Sequence, residues 1–171
     1  MLRALIIGLA TATLTAGCAS DASKGWTLGS AYSDQWKTIA IPIVKNTTYE
    51  REVGYLLTNA LIREVENRTP WRVTSAAEAD TLLEVEITEV ELRALSQSRL
   101  TKLDQETLVQ MQTNWTWEDL SSNRTITAWD GMGSEGLFLS SNPLEEPIEL
   151  GKLQAVENMA RAIVDRMTAA W

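Results

Sequence analysis

Histidine is absent from the 171 residues, and cysteine occurs once, at Cys18. Without histidine the chain lacks the commonest general base and the commonest metal ligand. A single cysteine forms no internal disulfide and builds no cysteine-rich zinc site. Positive charge is also scarce: 15 Lys and Arg stand against 23 Asp and Glu, a net charge of −8. That balance argues against nucleic acid as a partner, since phosphate binding needs a basic footprint. It argues equally against general adhesion to an anionic membrane surface. Phenylalanine occurs once while tryptophan occurs seven times, so aromatic packing must be indole-rich. What remains is ordinary for a globular domain, with 44% hydrophobic and 22% charged residues, and the length suits one domain with a real core.

The lone cysteine sits at the end of a particular pattern. Met1-Leu2-Arg3 is a short basic start, and Ala4 to Leu14, "ALIIGLATATL", is a charge-free apolar run. Small residues Ala16 and Gly17 then precede Cys18. This is the order of a secretory signal, and the run is too short to span a bilayer as a mature helix, which takes about 20 residues. The ending "LTAGC" resembles the lipobox of bacterial lipoproteins. The resemblance implies a signal peptide over residues 1–17, cleavage before Cys18, a diacylglyceryl group on its thiol and acylation of the new amino end by a fatty acid such as palmitate. A thiolate is the strongest nucleophile available for such alkylation, and small neighbours leave it accessible. Several acyl chains together exceed what stable anchoring requires. Ala19 follows where an Asp would favour inner-membrane retention in Gram-negative sorting, so the expected destination is the outer membrane. Residues 18–35 then form the anchor and a small, polar tether.

Residues 36–171 read as a single α+β domain. Lys37 to Val44, "KTIAIPIV", is a β-branched strand with Pro42 marking an edge or bulge. Asn46-Thr47-Thr48 is placed to cap the helix that follows. Glu50 to Arg68 carries Val53, Leu57, Ala60, Leu61 and Val65 at helical spacing, with acids early, Arg late, and Thr69-Pro70 as the stop. Trp71 to Thr74 is a short strand. Thr81 to Ala94 alternates, with Leu83, Val85 and Ile87 on one face and Glu84, Glu86 and Thr88 on the other. Ser96 to Gln105 is a polar connection. Glu106 to Glu118 alternates again, setting Val109, Met111, Trp115 and Trp117 against Gln110, Gln112 and Asn114. Arg124 to Trp129 is a further strand, and Gly131 to Pro147 reads as a long irregular segment holding an apolar knot, Leu137-Phe138-Leu139. Ile148 to Ala169 is a second amphipathic helix. The expected architecture is a mixed, largely antiparallel sheet of about four to five strands, covered on one face by two helices, in βαβββα order.

Chemistry-bearing motifs are few. Glu84 and Glu86 share a strand face, but no cationic or imidazole partner is fixed beside them, so Glu84, Glu86, Glu89 and Glu91 read as a solvated face. A hydrolase built on these glutamates is the competing reading. No calcium loop, phosphate loop or nucleophile elbow occurs. Four Asn-x-Ser/Thr triplets, at Asn46, Asn67, Asn114 and Asn123, are short enough to arise by chance. The Met111, Trp115 and Trp117 stripe reads as core, with a lipid or sugar platform as the minority reading.

Four stretches carry a family resemblance: "GWTLGS" at Gly25 to Ser30, Thr38 to Val73, Ala79 to Val90, and the tail "ARAIVDRMTAAW" at Ala160 to Trp171. In order and pattern the chain is similar to the LptE family of LPS-assembly lipoproteins, in a divergent, planctomycete-like branch. The resemblance implies a helix-covered sheet, no enzymatic activity and no cofactor. It implies a partner, the large outer-membrane barrel LptD, which LptE plugs while the pair delivers lipopolysaccharide to the outer leaflet. Family members meet lipopolysaccharide through basic side chains. Here the candidates are Arg93, Arg99 and Lys102, around one inter-strand connection of an otherwise acidic body. The barrel-facing parts are expected at that connection and at the Leu137-Phe138-Leu139 segment. The alternative is an envelope lipoprotein that binds another ligand or scaffolds a different complex.

Overall fold

The computed structural model describes residues 35–100, 102, 104–139 and 147–169. Its elements are β1 (Thr38–Ala40), β2 (Lys45–Asn46), α1 (Arg51–Arg68), β3 (Arg72–Val73), β4 (Thr81–Gln97), β5 (Asp104–Asp119), β6 (Arg124–Leu139) and α2 (Ile148–Thr168). The sheet runs β3-β1-β4-β5-β6, with β2 also paired to β4, which makes six strands. The α+β class, the mixed sheet and the two helices are as expected, and the additional strand comes from two-residue pairings that carry no periodic signal.

The first strand is shorter than Lys37 to Val44. The proline splits it: β1 pairs in parallel with both β3 and β4, the chain leaves the ladder around Pro42, and β2 rejoins β4 at Asn46↔Ile87. Between the two pieces, Val44 N donates to Thr58 Oγ1, which in turn donates to Gly54 O, so α1 holds this stretch in place. Asn46 orders the turn before α1 without capping it. Its Nδ2 donates to Glu50 O and its Oδ1 accepts from Thr48 N, while Glu50 occupies the N-cap position with no side-chain cap bond.

Strands β4, β5 and β6 form an antiparallel meander of 16 to 17 residues each. Two sequence boundaries move here. The Ser96 to Gln105 connection is shorter than expected, since β4 continues to Gln97 and β5 begins at Asp104. Gly131 to Leu139 belongs to β6 and is not irregular, so Leu137, Phe138 and Leu139 are strand residues, paired with Leu108, Thr107 and Glu106. The inward positions of this half of β6 are Met132, Ser134, Gly136 and Phe138, all buried. Small residues replace the apolar ones that would have declared the alternation.

Both helices lie on one face and run side by side in the same direction. Lys152 meets Glu50 at 2.6 Å near their starts, Arg63 meets Glu157 at 3.2 Å midway, and Arg68 bridges Glu64 and Asp165 near their ends. Helix α2 packs on β6 and β5 and beside α1. Beneath them Trp117 is fully buried, with Trp36 at 5.4 Å and Trp71 at 5.0 Å between ring centroids. Leu57, Leu61, Leu83, Ile87, Met111, Met159 and Ile163 complete the centre of the core. Burial of each such side chain contributes roughly 1.5–3 kcal/mol. The indole stripe is therefore core. A smaller cluster of Val109, Phe138 and Ala155 lies toward the other end of the meander.

Candidate functional site

The meander outruns its cover. Thr47 N donates to Ile87 O where β2 ends, and α1 starts four residues later at Arg51. Beyond Ile87, β4 has no strand on its outer side among the described residues. The distal halves of β4, β5 and β6 thus project as a three-stranded arm, supported on one face by the first turns of α2.

All three candidate cations stand on this arm. Arg93 is in β4, opposite Leu108 on the face away from the helices, and is exposed. Arg99 and Lys102 belong to the turn that joins β4 to β5, closed by a 2.9 Å bond from Lys102 N to Ser98 O. Lys102 takes φ 61°, the left-handed region that lets the chain reverse there. The structure thus brings Arg99 and Lys102 to the tip and sets Arg93 partway down the shaft. Anions are interleaved: Gln97 Nε2 donates to Asp104 at 2.8 Å, and Ser96 Oγ donates to Glu106 at 3.0 Å. Around the cations are exposed leucines: Leu92, Leu95 and Leu100, which sequence reasoning did not single out, and Leu137 of the apolar knot, which it did. Leu100 is 96% exposed at the tip, and Leu92, Leu95 and Leu137 are about half exposed. The arm therefore offers cations beside bare aliphatic side chains. This combination suits an amphipathic anion, with acidic groups and hydrocarbon in one molecule.

On the face away from the helices, and around the β6 edge to Asn158 of α2, lies a polar trough of about 770 Å³. Its floor includes Gly131 and Gly133, and its sides are carboxylates and carboxamides. Gln112 Nε2 donates to Glu89 at 2.6 Å, and Gln110 Nε2 donates to Glu135 at 2.8 Å. Glu89 and Glu91 share a carboxyl–carboxyl hydrogen bond, and this contact with its accompanying repulsion raises the Glu89 pKa. Glu84 lies 3.6 Å from Lys45 on the same face. The glutamates form the solvated face that the alternation indicated. Among the described residues no cluster of three or more acidic, His or Cys side chains is arranged to hold a metal ion.

Two further carboxylates organise the opposite end of the sheet. Asp80 accepts from Lys37 N at 2.8 Å and Thr38 N at 3.0 Å, tying the start of β1 to the start of β4. Asp119 accepts from Ser121 Oγ at 2.7 Å, Ser121 N at 2.8 Å and Ser122 N at 3.2 Å in the turn into β6. Both carboxyls are held below the usual range, Asp80 chiefly by the Lys37 amide and Asp119 chiefly by the Ser121 hydroxyl. Cys18, the proposed lipidation position, lies outside the described residues. No helix among the described residues is long and apolar enough to cross a membrane.

Solved structures share this fold at low identity. A hypothetical protein from Chlamydia trachomatis, CT253, superposes with TM-score 0.57 at 12% identity, covering 79% of this chain and 97% of that one. Rare lipoprotein B from Shewanella oneidensis gives TM-score 0.50 at 14% identity, over 78% of this chain and 95% of that one. An uncharacterised lipoprotein B from Nitrosomonas europaea gives TM-score 0.50 at 16% identity, over 85% of this chain and 94% of that one. No curated protein sequence matches the chain. The family model LptE, "Lipopolysaccharide-assembly", matches residues 36–170, most of the chain, and the protein belongs to that family.

Proposed function

We propose that this chain is a non-enzymatic outer-membrane lipoprotein that plugs and supports an LptD-type β-barrel and assists the placing of lipopolysaccharide in the outer leaflet. The observation that carries the reading is the family match over residues 36–170. In this reading residues 1–17 are a signal peptide, Cys18 bears the lipid, residues 18–35 are the tether and residues 36–171 are one domain. A lipid tether confines the domain to the membrane and raises its effective concentration near a barrel partner. A polar trough of glutamates and glutamines suits the polar lumen of a large barrel. The arm supplies the lipid contact: Arg99 and Lys102 at its tip and Arg93 on its shaft meet the acidic groups, while Leu100 and Leu95 meet hydrocarbon.

The test is an affinity pull-down of the tagged full chain from detergent-solubilised outer membranes, followed by mass spectrometry. A near-stoichiometric large β-barrel protein supports the plug reading. A protein shown to be lipidated and outer-membrane-resident, yet captured without a barrel, overturns the barrel role and leaves the anchor at Cys18 standing.

A further inference from the structure

The two long edges of the meander are treated differently. On the outer edge of β6, side chains of α2 occupy the backbone: Leu137 N donates to Gln154 Oε1 at 3.1 Å, and Asn158 Nδ2 donates to Glu135 O at 2.8 Å. The outer edge of β4 past Ile87 has neither a strand nor such side-chain cover among the described residues. Irregularities bracket it, between Ile87 and Glu89 and between Ala94 and Ser96, and the stretch between them keeps regular register with β5. An open, regular edge of this kind templates another strand.

The side chains on that edge specify which strand. Val90, Leu92 and Ala94 point to the helix-covered face, paired across β5 with Met111, Val109 and Thr107. Glu91 and Arg93 point to the trough face, paired with Gln110 and Leu108. From this pattern we infer that the β4 edge pairs antiparallel with the β4 edge of a second copy of the chain, about a two-fold axis through Leu92. Both copies then keep their helix-covered faces on the same side. Leu92 lies opposite Leu92 of the second copy, and Val90 opposite Ala94, so one face of the junction is wholly apolar. On the other face Glu91 lies opposite Arg93, and Arg93 opposite Glu91, giving two opposite-charge cross-strand pairs. Moving the axis to Arg93 sets Arg93 against itself, and moving it to Glu91 sets Glu91 against itself even though Arg93 then faces Glu89, so only the Leu92 register brings the opposite charges together with no like-charge pair on the axis. The Leu92 side chain, 53% exposed in the single chain, becomes the centre of an isologous contact. The inference does not rest on the barrel or lipid roles proposed above.

The register makes the test specific. Paired α-carbons across an antiparallel junction lie about 4.5–5.5 Å apart, within the reach of a disulfide. In the full chain carrying Cys18→Ser, Leu92→Cys is expected to form an intermolecular disulfide under mild oxidation in detergent. Ala94→Cys is expected not to, because two such positions are offset by four residues, roughly 14 Å along the strands. Mixing Val90→Cys chains with Ala94→Cys chains is expected to restore cross-linking. In sedimentation at tens of micromolar, Glu91→Arg or Arg93→Glu is expected to weaken the dimer about tenfold, and the double swap to recover it. A monomer at these concentrations with no Leu92→Cys disulfide overturns the inference. So does equal cross-linking at positions 92 and 94, or a charge swap that fails to restore what the single changes lose.

Discussion

Gly136 of β6 and Gly151 of α2 meet backbone to backbone. A β-carbon on Gly136 would fall on the carbonyl oxygen of Gly151 and 2.6 Å from Ala155 N, while one on Gly151 would meet only side chains, Phe138 Cδ1 at 2.7 Å and Val109 Cγ2 at 2.9 Å. This close approach is how the first turns of α2 sit directly on the arm.

The asymmetry predicts an order of stabilities. Gly136→Ala pushes against helix backbone, which cannot turn aside, and is expected to cost about 3 kcal/mol or more. Gly151→Ala pushes against two apolar side chains and regains about 1 kcal/mol of helix propensity, so a net cost of about 0–2 kcal/mol is expected. Urea unfolding of the two variants checks it. Equal costs would mean that the strand and helix separate easily at this point.

Acid should loosen the end of the sheet held by Asp80 and Asp119. Both carboxyls have folded pKa values below the ordinary 3.8 because amides and hydroxyls donate to the ionised form. A depressed folded pKa contributes stability that is present above the unfolded value and is lost as the pH falls through the folded one. Unfolding followed by denaturant from pH 5 down to pH 2 should show stability falling below about pH 4. Asp119→Asn should be less stable than the parent at neutral pH and should lose less on acidification. A parallel decline in parent and variant would remove Asp119 from the explanation.

Glu89 and Glu91 should act in the opposite sense. The Glu89 pKa is raised above its ordinary 4.5 by the hydrogen bond and repulsion from Glu91. Such a group contributes stability that is complete below the unfolded pKa and disappears as the pH rises through the folded one. Glu91→Gln removes the repulsion while keeping a hydrogen-bonding side chain. Relative to the parent, its stability should therefore improve as the pH is raised from about 4 to 7. A constant difference across that range would show that the two carboxyls do not interact in solution.

The arm's tip predicts a charge effect on lipid. If Arg99 and Lys102 meet acidic groups of lipopolysaccharide, neutralising both should cost about 2 kcal/mol, or roughly thirtyfold in affinity, at low salt. The difference should shrink as salt is added. Binding of purified lipopolysaccharide to the full chain and to the Arg99→Gln/Lys102→Gln variant reads this directly. Leu100→Asn should weaken binding with little dependence on salt, because its contribution is apolar.

Much of this architecture is legible in the chain. Leu83, Val85 and Ile87 alternate cleanly with glutamates, and Val53, Leu57, Leu61 and Val65 repeat at helical spacing, because each element buries one face against an ordinary core. The later half of β6 is less legible for the opposite reason. Between the apolar Met132 and Phe138 its inward positions are Ser134 and Gly136, and these are small because α2 approaches so closely: Ser134 Oγ donates to Ala155 O at 2.8 Å, leaving no room for larger side chains. The apolar alternation that announces a strand is erased by the packing that requires it.

By itself the sequence determined the two helices, the alternating strands, the indole core, the solvated glutamate face and the family, since these follow from periodicity and residue order within short windows. Only the tertiary structure decided that β4 outruns β2 and α1, that Arg93, Arg99 and Lys102 share a projecting arm with Leu95 and Leu100, and that one sheet edge is covered while the other stays open. Those relations depend on how far one element extends relative to another, and local pattern carries no information about relative length in space.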